Sequence, residues 1–447
     1  MTIELARLDS TRFGAVIRER DREGFTAPLL DDATLRRLAD IFGRSIGAQE
    51  AVREIVADVR ERGDVALREW TYRIDGVDVA DVHVGRDALE RAWDRLERPV
   101  RNALTAAAQR IREFHALQVD AADRGAAGAW LRPVPLGRAG CYVPGGRAAY
   151  PSTVLMSVIP AQVAGVERIV IASPPAAGGG VHPLVAAAAH LLGVAEVIAA
   201  GGAQAIAAMA YGTESIDRVD KVVGPGNAFV TLAKHEVFGA VGIDQLAGPS
   251  EILVIASAGA AADLIVADLV SQLEHDPLAW AVCLTDDAEL GSAIVADFAA
   301  TATEAARSEV IAMAAGRHAA LVDCGSLDES LSLAAAFAPE HISLQGAAAE
   351  ALRDRVRNAG AVFVGPMSPV SIGDYVAGPN HTLPTHGAAR YRGPLSVMDF
   401  VRWPSFVDLS EAEFDALSPV AIALAQAEGL HAHEAAIRAR SRVRERA

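Results

Sequence analysis

With 447 residues, the chain is too long for a single small core, and two to four structural units are expected. A formal net charge of −16 argues against binding nucleic acid or an anionic membrane, both of which need a basic patch. No apolar run is long enough to span a bilayer, and Met-Thr-Ile-Glu-Leu-Ala-Arg lacks the layout of a secretion signal, so a cytoplasmic protein is expected.

The first 45 residues are polar and mixed in charge, broken by Pro28, and read as an N-terminal arm. From Gln49 to Asp78, apolar residues Val52, Ile55, Val56, Val59, Val65 and Leu67 recur at helical spacing. A second, charged amphipathic helix is expected from Arg86 to Gln118. Strand-like runs then alternate with Ala-rich stretches: Glu167–Ala172, Glu196–Ala200, Arg218–Val223, Glu251–Ala256, Ala279–Leu284, Ala319–Val322 and Gly360–Val364. Hydrophobic residues make up 51% of the chain and aromatics only 5%, so aliphatic side chains must fill this interior. Such alternation predicts an α/β protein of parallel strands with crossover helices on both faces. The character changes at Gly248-Pro249-Ser250, which suggests two Rossmann-like sheet domains, one inserted in the other. The expected division is an arm over 1–45, a discontinuous domain over 46–141 and 251–393, an inserted domain over 142–250, and a helical unit over 394–447.

Gly-rich segments follow three strand-like runs: Gly145-Gly146 after Tyr142, Gly201-Gly202 before Gln204, and Gly224-Pro225-Gly226 before Asn227. Any one of them is ordinarily a tight turn. Three in successive strand-to-helix junctions point to a nucleotide phosphate met by backbone N–H groups, although none matches G-x-G-x-x-G. Gln272 and His275 stand three apart toward the end of a predicted helix, with Pro277 as its stop. A His there can simply balance the helix dipole, or the two can begin a metal site. His431 and His433 on the Ala-rich tail have the equally ordinary reading of a solvated helix face. Glu340-His341, in A-P-E-H, places a carboxylate beside an imidazole at a loop-to-strand junction, as stepwise acid–base chemistry needs. Asp374 and His381 follow in the Gly- and Pro-rich G-D-Y-V-A-G-P-N-H, where loop-borne ligands on a rigid scaffold are expected. Three scattered cysteines, Cys141, Cys283 and Cys324, form neither a disulfide framework nor a metal knuckle.

Taken together, the segments Cys141–Met156, Gly201–Ile206, Gly212–Ile216, Val219–Thr231, Ala247–Glu251, Asp268–Pro277, Ala338–His341 and Gly373–Pro384 resemble histidinol dehydrogenase, from about residue 50 to the end. The resemblance implies oxidation of L-histidinol to L-histidine in two NAD-dependent steps through an aldehyde, in the last steps of histidine biosynthesis, with one zinc ion per subunit. It implies zinc ligands at Gln272, His275, Asp374 and His433, but not His431. It further implies an acid–base pair at Glu340 and His341, NAD contacts at Tyr142, Gln204 and Asn227, and substrate contacts at Ser250 and Glu428. The metal ligands and His341 also adjoin the substrate, and His381 matches a further contact with less weight. The family forms homodimers in which the C-terminal unit of one chain completes the other's site, so Glu428 and His433 are expected to act in trans.

The chemistry is coherent on its own terms. Hydride leaves an alcohol carbon only as its O–H proton is taken, and a neutral imidazole accepts that proton near neutral pH. His341 is the candidate for that step, and Glu340 for activating the water that adds to the aldehyde. In the family the zinc is thought to hold the substrate's imidazole and amine, and the Glu428 carboxylate suits a cationic amine. A related zinc and NAD dehydrogenase of another alcohol, such as sulfopropanediol, is the alternative. Glu428 argues against it, since a sulfonate has little use for a carboxylate. A non-catalytic binding protein on this scaffold would have lost the acid–base pair or the ligands, and none is lost.

Overall fold

The structure, a computed structural model, describes residues 3–23, 30, 32–119, 124–126, 128–145 and 149–444. Pro28 and Gly146 of the sequence reading lie outside these residues. The chain divides into two compact units, residues 1–119 with 136–400, and residues 120–135 with 401–447.

The larger unit contains two parallel sheets. The first has five strands, in the order Glu196–Ala199, Arg168–Ser173, Arg138–Tyr142, Lys221–Val223, Gly242–Ile243. Its earliest strand is central, and the chain winds first to one side and then to the other. That reversal falls between Arg138–Tyr142 and Lys221–Val223, the kind of switch point at which doubly wound sheets bind ligands. The second sheet has six strands, in the order Ala6–Asp9, Ala319–Asp323, Trp280–Thr285, Glu251–Ala256, His341–Gln345, Ala361–Val364, all parallel. Within Glu251–Ala256, Ile252 and Val254 enter the core on one face, and Leu253 and Ile255 the core on the other. Every one of these residues is buried, so the strand is apolar throughout instead of alternating. All five strands of the first sheet lie in sequence between the first and second strands of this one, which makes it an insertion.

Three of the expected boundaries require correction. The N-terminal arm is not an arm: Ala6–Asp9 pairs with Ala319–Asp323 as the edge strand of the six-stranded sheet. The helix Ser10–Glu23 that follows buries Phe13 and Ile17 against Leu253, Val282 and Phe337. The polar surroundings of those few apolar residues disguised an amphipathic helix. The helices over residues 48–116 belong to the core of the five-stranded sheet, not to the discontinuous domain. Val52, Ile55, Leu67, Leu89 and Ile111 cluster with Val154, Val197 and Ile206. The boundary at 142 also cuts the central strand Arg138–Tyr142, whose small and polar residues hid it. Finally, residues 394–400 stay with the larger unit, where Leu395 and Phe400 are buried in that same core.

The two long helices expected in this region are each broken. Ala48–Arg62 and Asp64–Asp75 meet at Gly63, and Arg86–Asp94 and Arg98–Ala116 are separated before Pro99, which occupies the first turn of the second.

The smaller unit holds a three-stranded antiparallel sheet, Ser405–Val407, Ala129–Leu131 and Arg124–Ala126, with Trp130 stacked on Phe406 at 5.5 Å between ring centroids. The helix Glu411–Ala427 begins at a capping box, in which Ser410 and Glu413 exchange side-chain and backbone hydrogen bonds. Its residues Leu417, Val420 and Leu424 are exposed at helical spacing. The helix His431–Arg444 follows after a short turn. Among the described residues, no helix is long and apolar enough to cross a membrane.

Candidate active site

Glu340 and His341 lie where the strand His341–Gln345 of the six-stranded sheet begins. Glu340 immediately precedes the strand His341–Gln345, next to the start of Glu251–Ala256. The backbone there is over-determined. Ala338 caps the preceding helix with φ of 51°, an uncommon conformation for a residue with a side chain. Gly360 packs so close that a Cβ would stand 2.6 Å from the Glu340 carbonyl oxygen. The Glu340 carboxylate accepts the Ser250 hydroxyl at 2.5 Å and the Glu251 N–H at 2.8 Å. Burial still pushes its pKa up to about 7, against the lowering effects of His341, Ser250 and the Glu251 N–H. A carboxyl group with that pKa exchanges protons at neutral pH.

The tautomer of His341 follows from its partner. Nδ1 lies 2.9 Å from the carbonyl oxygen of Glu251, and a carbonyl can only accept, so Nδ1 carries the proton. In the neutral imidazole, Nε2 then has the free lone pair; it is buried and without a hydrogen-bond partner, 3.8 Å from Asp374 Oδ1. A buried lone pair with no donor is suited to receive a substrate proton. Asp374 arrives on the helix Val370–Tyr375, after the edge strand Ala361–Val364. His341, Asp374, His381, Phe363, Met367 and Ile372 are among the residues lining a cavity of about 460 Å³. The Phe363 ring centroid is 6.0 Å from that of His341.

Gln272 lies in the last turn of the helix Ala262–Leu273, and His275 lies just beyond the C-cap Glu274 instead of in that turn. The His275 N–H donates to the Gln272 carbonyl at 3.3 Å, so a tight turn keeps the two residues together. Although His275 keeps an exposed edge, the protein around its ring lowers its pKa, and the nearby Asp374 carboxylate acts in the opposite direction. Gln272 is buried and its Nε2 lacks a partner. Since amide oxygen and nitrogen are interchangeable by a flip, this is an unmet group available to a ligand. Among the described residues, no three His, Cys, Asp or Glu side chains gather closely enough to hold a metal. The expected set contains only His275 and Asp374 of those types in the larger unit. The chemistry of an amide, an imidazole and a carboxylate, mixed N and O donors, fits a borderline divalent ion.

At the carboxyl edge of the five-stranded sheet, Tyr142 ends the central strand, and its hydroxyl accepts the Gly202 N–H at 3.1 Å. Burial, with a contribution from Asp75, pushes the Tyr142 pKa to about 12, so its hydroxyl stays protonated. Gln204 is fully buried with Oε1 unpaired. Asn227 caps the helix Ala228–Val237, its Oδ1 accepting from the N–H groups of Phe229 and Val230. That leaves its NH₂ group to offer a ligand. Gly224 has φ of 111°, and a Cβ there would run into the Tyr142 carbonyl oxygen, which enforces the tight passage between the two strands. The two halves of the site meet through the helix Pro151–Ala164: its Thr153 lies 3.3 Å from His381 Nε2, and His381 Nδ1 donates to the Asp374 carbonyl at 2.8 Å.

Residues 44–441 match the family model for histidinol dehydrogenase. The chain belongs to the histidinol dehydrogenase family. Among its relatives, the histidinol dehydrogenase of Parasynechococcus marenigrum is 49% identical over 88% of this chain and 91% of its own length. That of Bacillus anthracis is 44% identical over 94% and 98%. The crystal structure of histidinol dehydrogenase from Elizabethkingia anophelis superposes with a TM-score of 0.88 at 30% identity, covering both chains in full.

Within this family frame, the expected residues fall into three groups in space. Ser250, Glu340, His341 and Asp374 are joined by the contacts above, and His275 is close enough to Asp374 to feel its charge. Tyr142, Gln204 and Asn227 share one edge of the other sheet. Glu428 and His433 are exposed in the smaller unit. Both ring nitrogens of His381 face protein groups, the Thr153 hydroxyl and the Asp374 carbonyl. His381 lines the cavity and steadies the Asp374 main chain. Two residues of the arrangement were not singled out from sequence. Glu251 looked like the first residue of an apolar strand, yet its main chain contacts both Glu340 and His341. Asn380 bonds the Met156 carbonyl at 2.6 Å and so ties the cavity segment to the other sheet's helix. Its place in the G-P-N-H run was the only sequence signal for it.

Proposed function

We propose that this chain oxidises L-histidinol to L-histidine with two equivalents of NAD, and that His341 and Glu340 carry the proton chemistry. The observation carrying this reading is the His341 imidazole, whose Nδ1 is held by the Glu251 carbonyl while its buried Nε2, without a hydrogen-bond partner, lies 3.8 Å from Asp374 Oδ1. In the first step the alcohol O–H gives its proton to His341 Nε2 while hydride passes from the alcohol carbon to NAD, giving the aldehyde and NADH. In the second, Glu340 in its ionised form takes a proton from water as that water adds to the aldehyde carbon. Hydride from the resulting hydrate anion then reduces a second NAD, leaving the carboxylic acid, which releases its remaining proton to solvent as the carboxylate. Completing both steps in one cavity protects the aldehyde from side reactions. Tyr142, Gln204 and Asn227 are proposed to hold NAD at the sheet's switch point, which suits their shared edge. Ser250 is proposed to orient Glu340 and the substrate together.

Gln272, His275 and Asp374 would hold a zinc ion, with His433 as the fourth ligand. Such an ion, when bound, would anchor the substrate's imidazole and amine and polarise its oxygen. Glu428 and His433 are proposed to reach a partner subunit's site in a homodimer. The exposed stripe of Leu417, Val420 and Leu424 on the smaller unit supports an intersubunit face there.

Limiting L-histidinol should yield roughly two NADH per substrate. Accumulation of free aldehyde after one equivalent would refute the two-step reading. For the shared site, a His433→Ala chain can be reassembled with a chain carrying Glu340→Gln and His341→Asn, each inactive alone. Random pairing should recover roughly a quarter of wild-type activity, because half the dimers are mixed and each holds one intact site. No recovery would place the tail in its own chain's site.

A further inference from the structure

One of the charges beneath the acid–base pair comes from a part of the chain ahead of the residues that the family model matches. Arg20 lies in the helix Ser10–Glu23, and its side chain is only 2% exposed. One guanidinium nitrogen donates to the Phe337 carbonyl at 2.7 Å, another pairs with Glu251 Oε1, and the group lies 3.9 Å from the Phe337 ring centroid. Glu251 is itself fully buried. Its Oε1 also accepts the His386 N–H at 3.1 Å, and its Oε2 accepts the Glu340 N–H at 3.2 Å. Its own N–H donates to the Glu340 carboxylate, and its carbonyl accepts from His341 Nδ1.

The Glu251 side chain therefore clamps the peptide that carries Glu340, while its main chain fixes the Glu340 carboxylate and the His341 tautomer. A carboxylate buried to this degree does not keep its charge and direction without a cation beside it. Burial drives the Glu251 pKa up, and Arg20 is the largest influence in the other direction. We propose that Arg20 is a positioning residue for the oxidation, pairing with Glu251 to hold Glu340 and His341 in working register. This rests on the reading of those two residues as the acid–base pair. The N-terminal helix thereby becomes a structural part of the active site, although none of its residues lines the cavity.

The test compares wild type, Arg20→Met, Arg20→Lys and the double variant Arg20→Met/Glu251→Gln, each shown to be folded by circular dichroism. Oxidation of L-histidinol and of added L-histidinaldehyde is followed separately. Arg20→Met should lower kcat for aldehyde oxidation by roughly tenfold or more, with KM for either substrate within about twofold. Arg20→Lys keeps the charge but cannot bridge Phe337 and Glu251, and should fall between Met and wild type with more than a twofold loss. If the unpaired Glu251 prevents Arg20→Met from folding, the double variant decides. It leaves no lone buried charge, but an amide at 251 cannot accept from both peptides, so the same kcat loss is expected. Any folded variant of the three that keeps its aldehyde kcat within twofold of wild type overturns the assignment. A wild-type enzyme that fails to oxidise L-histidinol would instead remove the acid–base reading on which the assignment rests.

Discussion

Replacing His341 by Asn should slow the first oxidation by about 10²–10⁴-fold, the range expected when a positioned proton acceptor is lost. Asn keeps a hydrogen-bonding side chain of similar reach, so its N–H can still find the Glu251 carbonyl, but it has no basic nitrogen. KM for histidinol should change little, because the lost interaction develops as the proton moves. Glu340→Gln should leave the first step nearly intact and slow oxidation of added aldehyde by a comparable factor. Equal damage to both steps from both changes would undo the division of labour. The acid limb of the aldehyde reaction should have its midpoint near the Glu340 pKa of about 7, activity rising with pH as the carboxylate forms. The sign for stability is opposite. The folded carboxyl holds its proton until about pH 7, whereas the unfolded one releases it near 4.5. Folding stability is thus greatest, for this group, below about 4.5 and declines through 7, by ~3 kcal/mol at about 1.4 kcal/mol per pKa unit. Glu340→Gln should remove that decline, so its Tm relative to wild type should be higher at pH 8 than at pH 5.

Stripping the metal should bring turnover to background, and zinc should restore it. Metal content separates a ligand from a residue that merely supports activity. His275→Ala and Asp374→Asn should each retain no stoichiometric zinc after dialysis, whereas Glu340→Gln should retain it in full, being outside the donor set. His433→Ala should also lose metal, although His433 lies in a different unit of its own chain. Full zinc content in His433→Ala would remove it from the ligand set, and full turnover in metal-free enzyme would remove the set altogether. The exposed edge of His275 and the partnerless Gln272 Nε2 are consistent with ligands whose last partner is not supplied by the same unit.

The pattern of short apolar runs was enough to place seven strands within a few residues, because fully buried parallel strands need continuous aliphatic sequence whatever surrounds them. Glu340, His341 and Asp374 stood out in the sequence as polar residues in Gly- and Pro-bounded segments, and the structure brings them together, with His341 3.6 Å from Glu340 and 3.8 Å from Asp374. The domain division was not legible at the same level. The strand Ala6–Asp9 carries too little apolar character to advertise an edge strand, and its partner lies more than three hundred residues away. Whether the helices over residues 48–116 cover one sheet or the other depends on long-range packing, since an apolar stripe does not name its partner.

What the sequence determined by itself was the chemical inventory and the alternation of strands and helices, both of which are local in character. What only the tertiary structure decided was orientation. It chose the His341 tautomer through a carbonyl on a neighbouring strand, enclosed both nitrogens of His381 in protein contacts, and turned Glu251 from a strand residue into a clamp paired with Arg20. Protonation state and direction depend on which donors and acceptors a side chain meets at about 3 Å, and folding supplies those from distant parts of the chain.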